Sequence, residues 1–423
     1  MSSPHAILRE FLNRTESLPE KFERQRRWSP RSILLSLMVM KQPLQRMNYH
    51  MTLESMLVSA GAWLKWDNAP SPSSFSMARA KVPIAQCRGF LQKLVGDLGD
   101  AMPRRIRPWT SRRIIGIDGT RLITPRNPAT MESFTRPRQR QWLHSHYPQA
   151  MVVAAYDVMR RLPLDWAMVP KGSGERAGLL SLLPTFTKGD IAVMDRGYPS
   201  HHLLGLLASR GIDVVMRLGV GKRGVWGEVA TFIASGSSSS VMTIDCGADE
   251  KGVPLRVRVR MILRKPPRGR PLKHQKRETM VVLTTLFPKD GFESKDILAI
   301  YQARWGVETL FREMKVELDI ERFHSESILG IEQEIAAVLM WVALASALEF
   351  AAESGLETDQ RVERTMCMFL GRSILDTMMR GGDIDQRLTS AVESARRTAY
   401  RIRSGRSFPR ERKMPYGRFN SHS

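Results

Sequence analysis

Apolar and polar positions along this chain follow three successive rhythms, and each rhythm predicts a different kind of element. Over residues 1–103 the apolar positions recur at helical spacing. Ser29-Pro30 supplies an N-cap followed by proline at the first helical position, predicting a helix through Lys41. Residues 52–64 read as the next helix, 73–82 as a short third one stopped by Pro83, and 84–98 as a fourth. From Arg113 the rhythm becomes one of short continuous apolar runs. Ile114-Ile115-Gly116-Ile117 precedes Asp118-Gly119-Thr120, and Ile191-Ala192-Val193-Met194 precedes Asp195-Arg196-Gly197-Tyr198. Further runs lie at 150–159, 163–170 and 212–218, with helical spacing at 175–186 and 200–210. The order β-β-β-α-β-α-β predicts an α/β unit with a mixed sheet, in which Asp118 and Asp195 each end a buried strand.

The third rhythm, over residues 220–287, carries only β signals. Leu255, Val257, Val259 and Met261 alternate with Arg256, Arg258 and Arg260, predicting a strand with one apolar and one triply basic face. Residues 264–277 hold seven basic residues and no acidic one, and Pro266-Pro267 with Gly269 excludes regular structure there. Ser237 to Ser240 reads as a hairpin tip. Helices resume at Ser294 and continue to about Arg403. The expected organisation is a helical N-terminal region over 1–103 as a candidate helix-turn-helix-like DNA reader, a first core segment over 104–219, a β-rich insertion over 220–290, a core helix segment over 291–330, and a helical C-terminal region with a basic tail over 331–423. The most apolar run, 335–348, is shorter than the roughly 20 residues that span a bilayer, so it reads as a buried core helix rather than a membrane segment. With no secretory leader evident, the expectation is a cytoplasmic protein with no membrane partner.

Within the helix expected between Ser294 and Asp319, Tyr301, Arg304, Glu308 and Lys315 fall at about 0°, 300°, 340° and 320° around the axis, one narrow stripe. Val307, Leu310, Phe311, Met314 and Leu318 occupy a separate apolar face. The stripe is either the wall of an active site or a solvated face in which Arg304 and Glu308 form an i, i+4 ion pair.

Charge shifts the balance between these readings. Lys and Arg number 65 against 42 Asp and Glu, a net charge of +23, and such a field favours a polyanion, above all nucleic acid. The linker at 104–113 carries five basic residues, and the tail from 396 to 418 carries nine against Glu411 alone. The three cysteines, Cys87, Cys246 and Cys367, form no metal-binding pair. Three carboxylates remain as candidate chemistry: Asp118, Asp195 and Glu308. Two neighbouring strands and a packed helix can gather them at a sheet edge, an arrangement suited to divalent cations and in-line attack at phosphorus. Asp157 and Asp213 are the rival aspartates, though neither precedes glycine; His144 and His146 are weaker metal-ligand candidates in a basic loop.

These residues carry a resemblance. Asp118-Gly119-Thr120, Asp195-Arg196-Gly197-Tyr198 and the Y-x2-R-x3-E-x6-K run from Tyr301 to Lys315 resemble the three signature blocks of bacterial insertion-sequence transposases of the DDE superfamily, in the group called insertion sequence family four. The resemblance implies an RNase H-like core interrupted by a β-rich insertion. It implies Asp118, Asp195 and Glu308 as catalytic, metal-binding residues for two Mg²⁺ ions, with Mn²⁺ able to substitute. Tyr301, Arg304 and Lys315 would contact DNA phosphates. The implied activity is cleavage at transposon ends and transfer of the 3′-hydroxyls into target DNA. Its partners would be double-stranded DNA, as terminal inverted repeats and target, with the protein a homodimer in the synaptic complex. A non-catalytic DNA-binding relic or repressor, or a metal-dependent nuclease without strand transfer, are the alternatives. Some members of the group stack a flipped base on a tryptophan of the insertion; Trp226, the only tryptophan there, does not match that position.

Overall fold

The computed structural model describes residues 28–102, 112–134, 147–169, 172–220, 226–248, 252–265 and 279–402. It opens with helices α1 (Pro30–Met40), α2 (Tyr49–Leu64), α3 (Pro72–Arg79) and α4 (Ile84–Ala101). The starts of the first three follow from capping chemistry. The Ser29 side chain accepts the Ser32 N–H, Asn48 that of Met51, and Ser71 that of Ser74, each satisfying a donor that the helix leaves open. Then come β1 (Ile114–Ile123), α5 (Pro128–Phe134), β2 (Gln149–Asp157), β3 (Leu162–Val169), α6 (Glu175–Leu182), β4 (Ile191–Met194), α7 (His201–Ser209) and β5 (Asp213–Leu218). The insertion supplies α8 (Gly227–Ala234), β6 (Ser239–Ala248), β7 (Pro254–Arg264) and β8 (Met280–Thr284). Helices α9 (Ser294–Ala303) and α10 (Trp305–Arg312) follow, then a π-helical turn (Glu313–Glu317), α11 (Ile328–Glu353), α12 (Arg364–Met379) and α13 (Ile384–Arg396).

The strands form one eight-stranded mixed sheet in the order β3-β2-β1-β4-β5-β8-β7-β6. Strand β1 is parallel to β4 and β4 to β5, while β2, β3 and the insertion strands pair antiparallel. This is the α/β core with flanking helical regions that the sequence predicts. The insertion does not stand apart: β8 hydrogen-bonds to β5 and continues the same sheet.

Four expectations change. Strand β1 runs five residues past Asp118, because β2 pairs along it as far as Ile123↔Gln149 while β4 on its other side stops at Met194. The insertion is not purely β, since α8 buries Val229 and Phe232, spaced i and i+3. Ser237 to Ser240 is no hairpin tip: Ser239 and Ser240 lie in β6, paired with Ile262 and Met261. The triply basic face of β7 loses Arg260, which is buried and donates to the Ser239 hydroxyl and the Phe292 carbonyl. Most of the basic stretch at 264–277, and the tail beyond Ile402, lie outside the described residues.

Helix α11 is the hub of the core. At 26 residues it extends well beyond the apolar run that announced it, and it touches α1, α4, β3, α12 and α13. By length and composition it could cross a bilayer, but 94% of its most apolar window is buried inside the protein. Nearly all its faces meet other elements, which is why apolar residues surround it.

Candidate active site

Strand alternation sets the first two carboxylates. On β1, Ile114, Gly116 and Asp118 share one face; Ile191 and Val193 of β4, followed by Asp195, share the same one. The parallel register Ile117↔Met194 then sets Asp118 beside Asp195. This face is covered by α9, whose Ile297, Ile300 and Tyr301 pack with Ile114, Ile191 and Val193. Gly116 brings the next helix down. A Cβ there would lie 2.5 Å from Val307 Cγ2 and 2.8 Å from Val158 Cγ1, so α10 lies directly on the strand, two residues before Asp118. Glu308 is the next residue of that helix.

The side chains of the predicted stripe meet the two aspartates. Arg304 donates from Nη1 to Asp118 Oδ2 at 2.9 Å and from Nη2 to Glu308 Oε1 at 2.8 Å. The Tyr301 hydroxyl donates to Asp195 Oδ1 at 3.1 Å, and the Gly119 N–H to Asp118 Oδ1 at 2.9 Å. The i, i+4 pair of the solvated reading does form, but Arg304 is only 5% exposed and shares its charge with Asp118. Lys315 belongs to a different group. The helix widens into the π turn at Glu313, whose carboxylate is held by both Nε and Nη2 of Arg364, and Lys315 then donates to the Arg121 carbonyl of β1 at 2.7 Å. A straight α-helix does not describe this stretch beyond Arg312.

A residue that sequence reading did not single out completes the cluster. Glu175, first residue of α6, approaches from the opposite face of the sheet. A Cβ on Gly119 would lie 2.8 Å from Glu175 Cγ and 2.9 Å from Oε1, and one on Gly197 would lie 3.4 Å from Oε2. The glycines after both aspartates thus leave room for this carboxylate. Burial raises the Glu175 pKa, and the charges of Asp118 and Asp195 raise it further, while Arg121 opposes the rise. Burial likewise raises that of Asp118; the Gly119 N–H and Arg304 oppose the rise, while Asp195 adds to it. Tyr198 is fully buried, and among the described residues its hydroxyl has no hydrogen-bond partner. The only sequence signal for Glu175 was its place at a helix start after Gly174, which many surface glutamates share.

The rivals have structural duties. Asp157 caps the turn after β2, accepting the N–H groups of Met159 and Arg160, and Asp213 accepts from Arg112 and Thr285. Trp226 stacks on His201 with ring centroids 4.1 Å apart. His144 and His146 lie outside the described residues.

The donor set of Asp118, Asp195, Glu308 and Glu175 is all carboxylate oxygen, the ligand class of Mg²⁺ and Mn²⁺. Its four carboxylates outnumber the two guanidiniums that act on them, Arg304 and Arg121, an imbalance that a cation would relieve. In this state no three such groups among the described residues are arranged around one ion position, and Arg304 stands between Asp118 and Glu308.

A family model described as a transposase DDE domain matches residues 109–344. No curated protein matches the sequence. Among solved structures, the chain is similar to one described as "Cryo-EM structure of piggyBac transposase synaptic complex with hairpin DNA", with a TM-score of 0.45 and 12% identity over 93% of this chain and 85% of that one.

Proposed function

We propose that this chain, which belongs to the transposase DDE-domain family, cuts DNA at the ends of a mobile element and joins the freed 3′-hydroxyls to target DNA, as a member of insertion sequence family four. The observation that carries this reading is the gathering of Asp118, Asp195 and Glu308 from β1, the end of β4 and α10, with Tyr301 and Arg304 bonded to them. Two bound Mg²⁺ ions, or Mn²⁺ in their place, would supply Lewis-acid polarisation of the phosphate and an activated oxygen nucleophile. Asp118, Asp195 and Glu308 would hold them. Arg304, with a planar fork of donors suited to phosphate, would contact a phosphate oxygen when the ions neutralise Asp118 and Glu308. Tyr301 orients Asp195 and Lys315 offers a further phosphate contact. The net charge of +23 supports a double-stranded DNA partner, and binding the two inverted-repeat ends calls for a homodimer.

The test is incubation of the full chain with DNA carrying the element's own ends and Mg²⁺ or Mn²⁺. Asp118→Ala, Asp195→Ala and Glu308→Ala each remove metal-dependent stabilisation of several kcal/mol, so end cleavage is expected to fall at least about a hundredfold while end binding persists. In the same assay Lys315→Ala binds ends more weakly with a shallower salt dependence. Binding of ends by wild type without any nicking under either metal is the outcome that rejects the enzyme reading.

A further inference from the structure

Outside the three carboxylates of the family reading, the site contains two groups that this reading leaves without a role, the half-buried Glu175 and the buried Tyr198. Glu175 stands against Gly119 and Gly197, each the residue next or next but one to a proposed metal ligand. It reaches them from α6, on the sheet face opposite α9 and α10. The Tyr198 hydroxyl is 0% exposed, feels the charges of Glu175, Asp118 and Asp195, and has no partner among the described residues. Buried hydroxyls are ordinarily hydrogen-bonded. A hydroxyl without a protein partner, in the field of Glu175, Asp118 and Asp195, is one that ion-bound water would satisfy.

We propose that Glu175 is a fourth oxygen ligand of the divalent-cation site, with Tyr198 as the hydrogen-bond partner of ion-bound water. The inference rests on the metal-dependent reading above and deepens it. Gly119 acquires a definite function: any side chain there would displace the Glu175 carboxylate. A purely structural role is disfavoured because Glu175 makes no ion pair with a neighbouring base among the contacts that fix α6; it is Arg176 that ties this helix to the Gly197 and Pro199 carbonyls.

The test is a Mn²⁺ titration, followed by electron paramagnetic resonance, of the full chain without DNA, comparing wild type with Glu175→Ala, Gly119→Ala, the double variant and Asp118→Asn. Glu175→Ala is expected to weaken Mn²⁺ binding by about tenfold, the lower end for losing a group that supports a metal site. Gly119→Ala is expected to match it by pushing the carboxylate aside. The double variant should be no weaker than Glu175→Ala alone, because the added methyl then meets empty space. Thermal unfolding of Glu175→Ala without metal should stay level or rise, since a repelling charge is gone; a structural role would lower it. Wild-type Mn²⁺ affinity in Glu175→Ala, with binding lost in Asp118→Asn, rejects Glu175 and leaves the three-carboxylate site standing. Equal affinity in wild type and Asp118→Asn rejects both. If Gly119→Ala does not fold, Glu175→Ala decides alone.

Discussion

Arg304 is the residue whose environment most alters the picture of the site. On a helical wheel it is one polar position among four. In the fold its guanidinium bridges Asp118 and Glu308 while its Nε has no hydrogen-bond partner among the described residues. It acts as the resident cation of an acidic site. Removing it leaves Asp118, already raised by burial and by Asp195, without its main positive neighbour. We therefore expect Arg304→Ala to lower stability by about 1.5–3 kcal/mol, the range for hydrogen bonds to charged groups. Millimolar Mg²⁺ should then raise the melting temperature of Arg304→Ala more than that of wild type. Differential scanning calorimetry with and without Mg²⁺ checks this, and equal metal-induced shifts in the two proteins count against a cation-substituting Arg304.

At the scale of elements, the decisive contact is α10 lying on β1. Helix–strand contact this close needs a residue without a side chain, and Gly116 provides it. Gly116→Ala drives a methyl into Val307 and Val158 and is expected to cost about 1–3 kcal/mol by overpacking. Adding Val307→Ala opens the space again, so the double variant should be less destabilised than the sum of the two single changes. Denaturant unfolding of the three variants checks this; strict additivity means the two residues do not share the contact. The π turn is the second element-level feature. Arg364 of α12 holds Glu313 and also donates to Glu349 of α11, so the end of the segment bearing Glu308 is fastened to the C-terminal helices.

Across the whole molecule, buried charge joins the N-terminal helices to the core. Glu334 of α11 is 0% exposed and pairs with Lys41 at the end of α1 and with Arg79 of α3, and it also accepts the His324 and Ser325 N–H groups. Arg79 lies in the N-terminal region that the sequence offered as a candidate DNA binder, yet its side chain is committed to this interior contact. Burial by itself would raise the Glu334 pKa, but Lys41, the His324 hydrogen bonds and Arg79 outweigh it and push it down to about 2. Lys41 is lowered by its own desolvation beside Arg79, so the carboxylate is the group whose charge the cluster fixes most firmly. A depressed carboxylate pKa contributes stability that is present above the ordinary value near 4.5 and is lost as pH falls towards 2. Glu334→Gln strands two buried cations and is expected to cost about 3–5 kcal/mol at neutral pH. That gap should narrow between pH 4.5 and 2, as wild-type Glu334 itself becomes protonated. Urea denaturation across this range checks it, and a pH-independent gap argues that packing rather than charge sets the cost.

The sequence by itself determined most of the elements and singled out Asp118, Asp195 and Glu308 as candidates. The Ser29 cap, and the apolar runs before Asp118 and Asp195, are local signals; whether a backbone donor is satisfied or a strand alternates depends on neighbours within a few residues. The stripe of Tyr301, Arg304 and Glu308 was legible for the same reason. Tertiary structure alone decided that β1 continues past Asp118, because that depends on β2 lying alongside, and that Ser239 and Ser240 are strand residues paired with β7. It alone turned Arg304 inward, buried Arg79 and Arg260, and widened the helix before Lys315. It also brought Glu175 to Gly119 from a helix more than fifty residues away in sequence. Charges and glycines take their meaning from what faces them across the fold, and that partner lies beyond the reach of any local pattern.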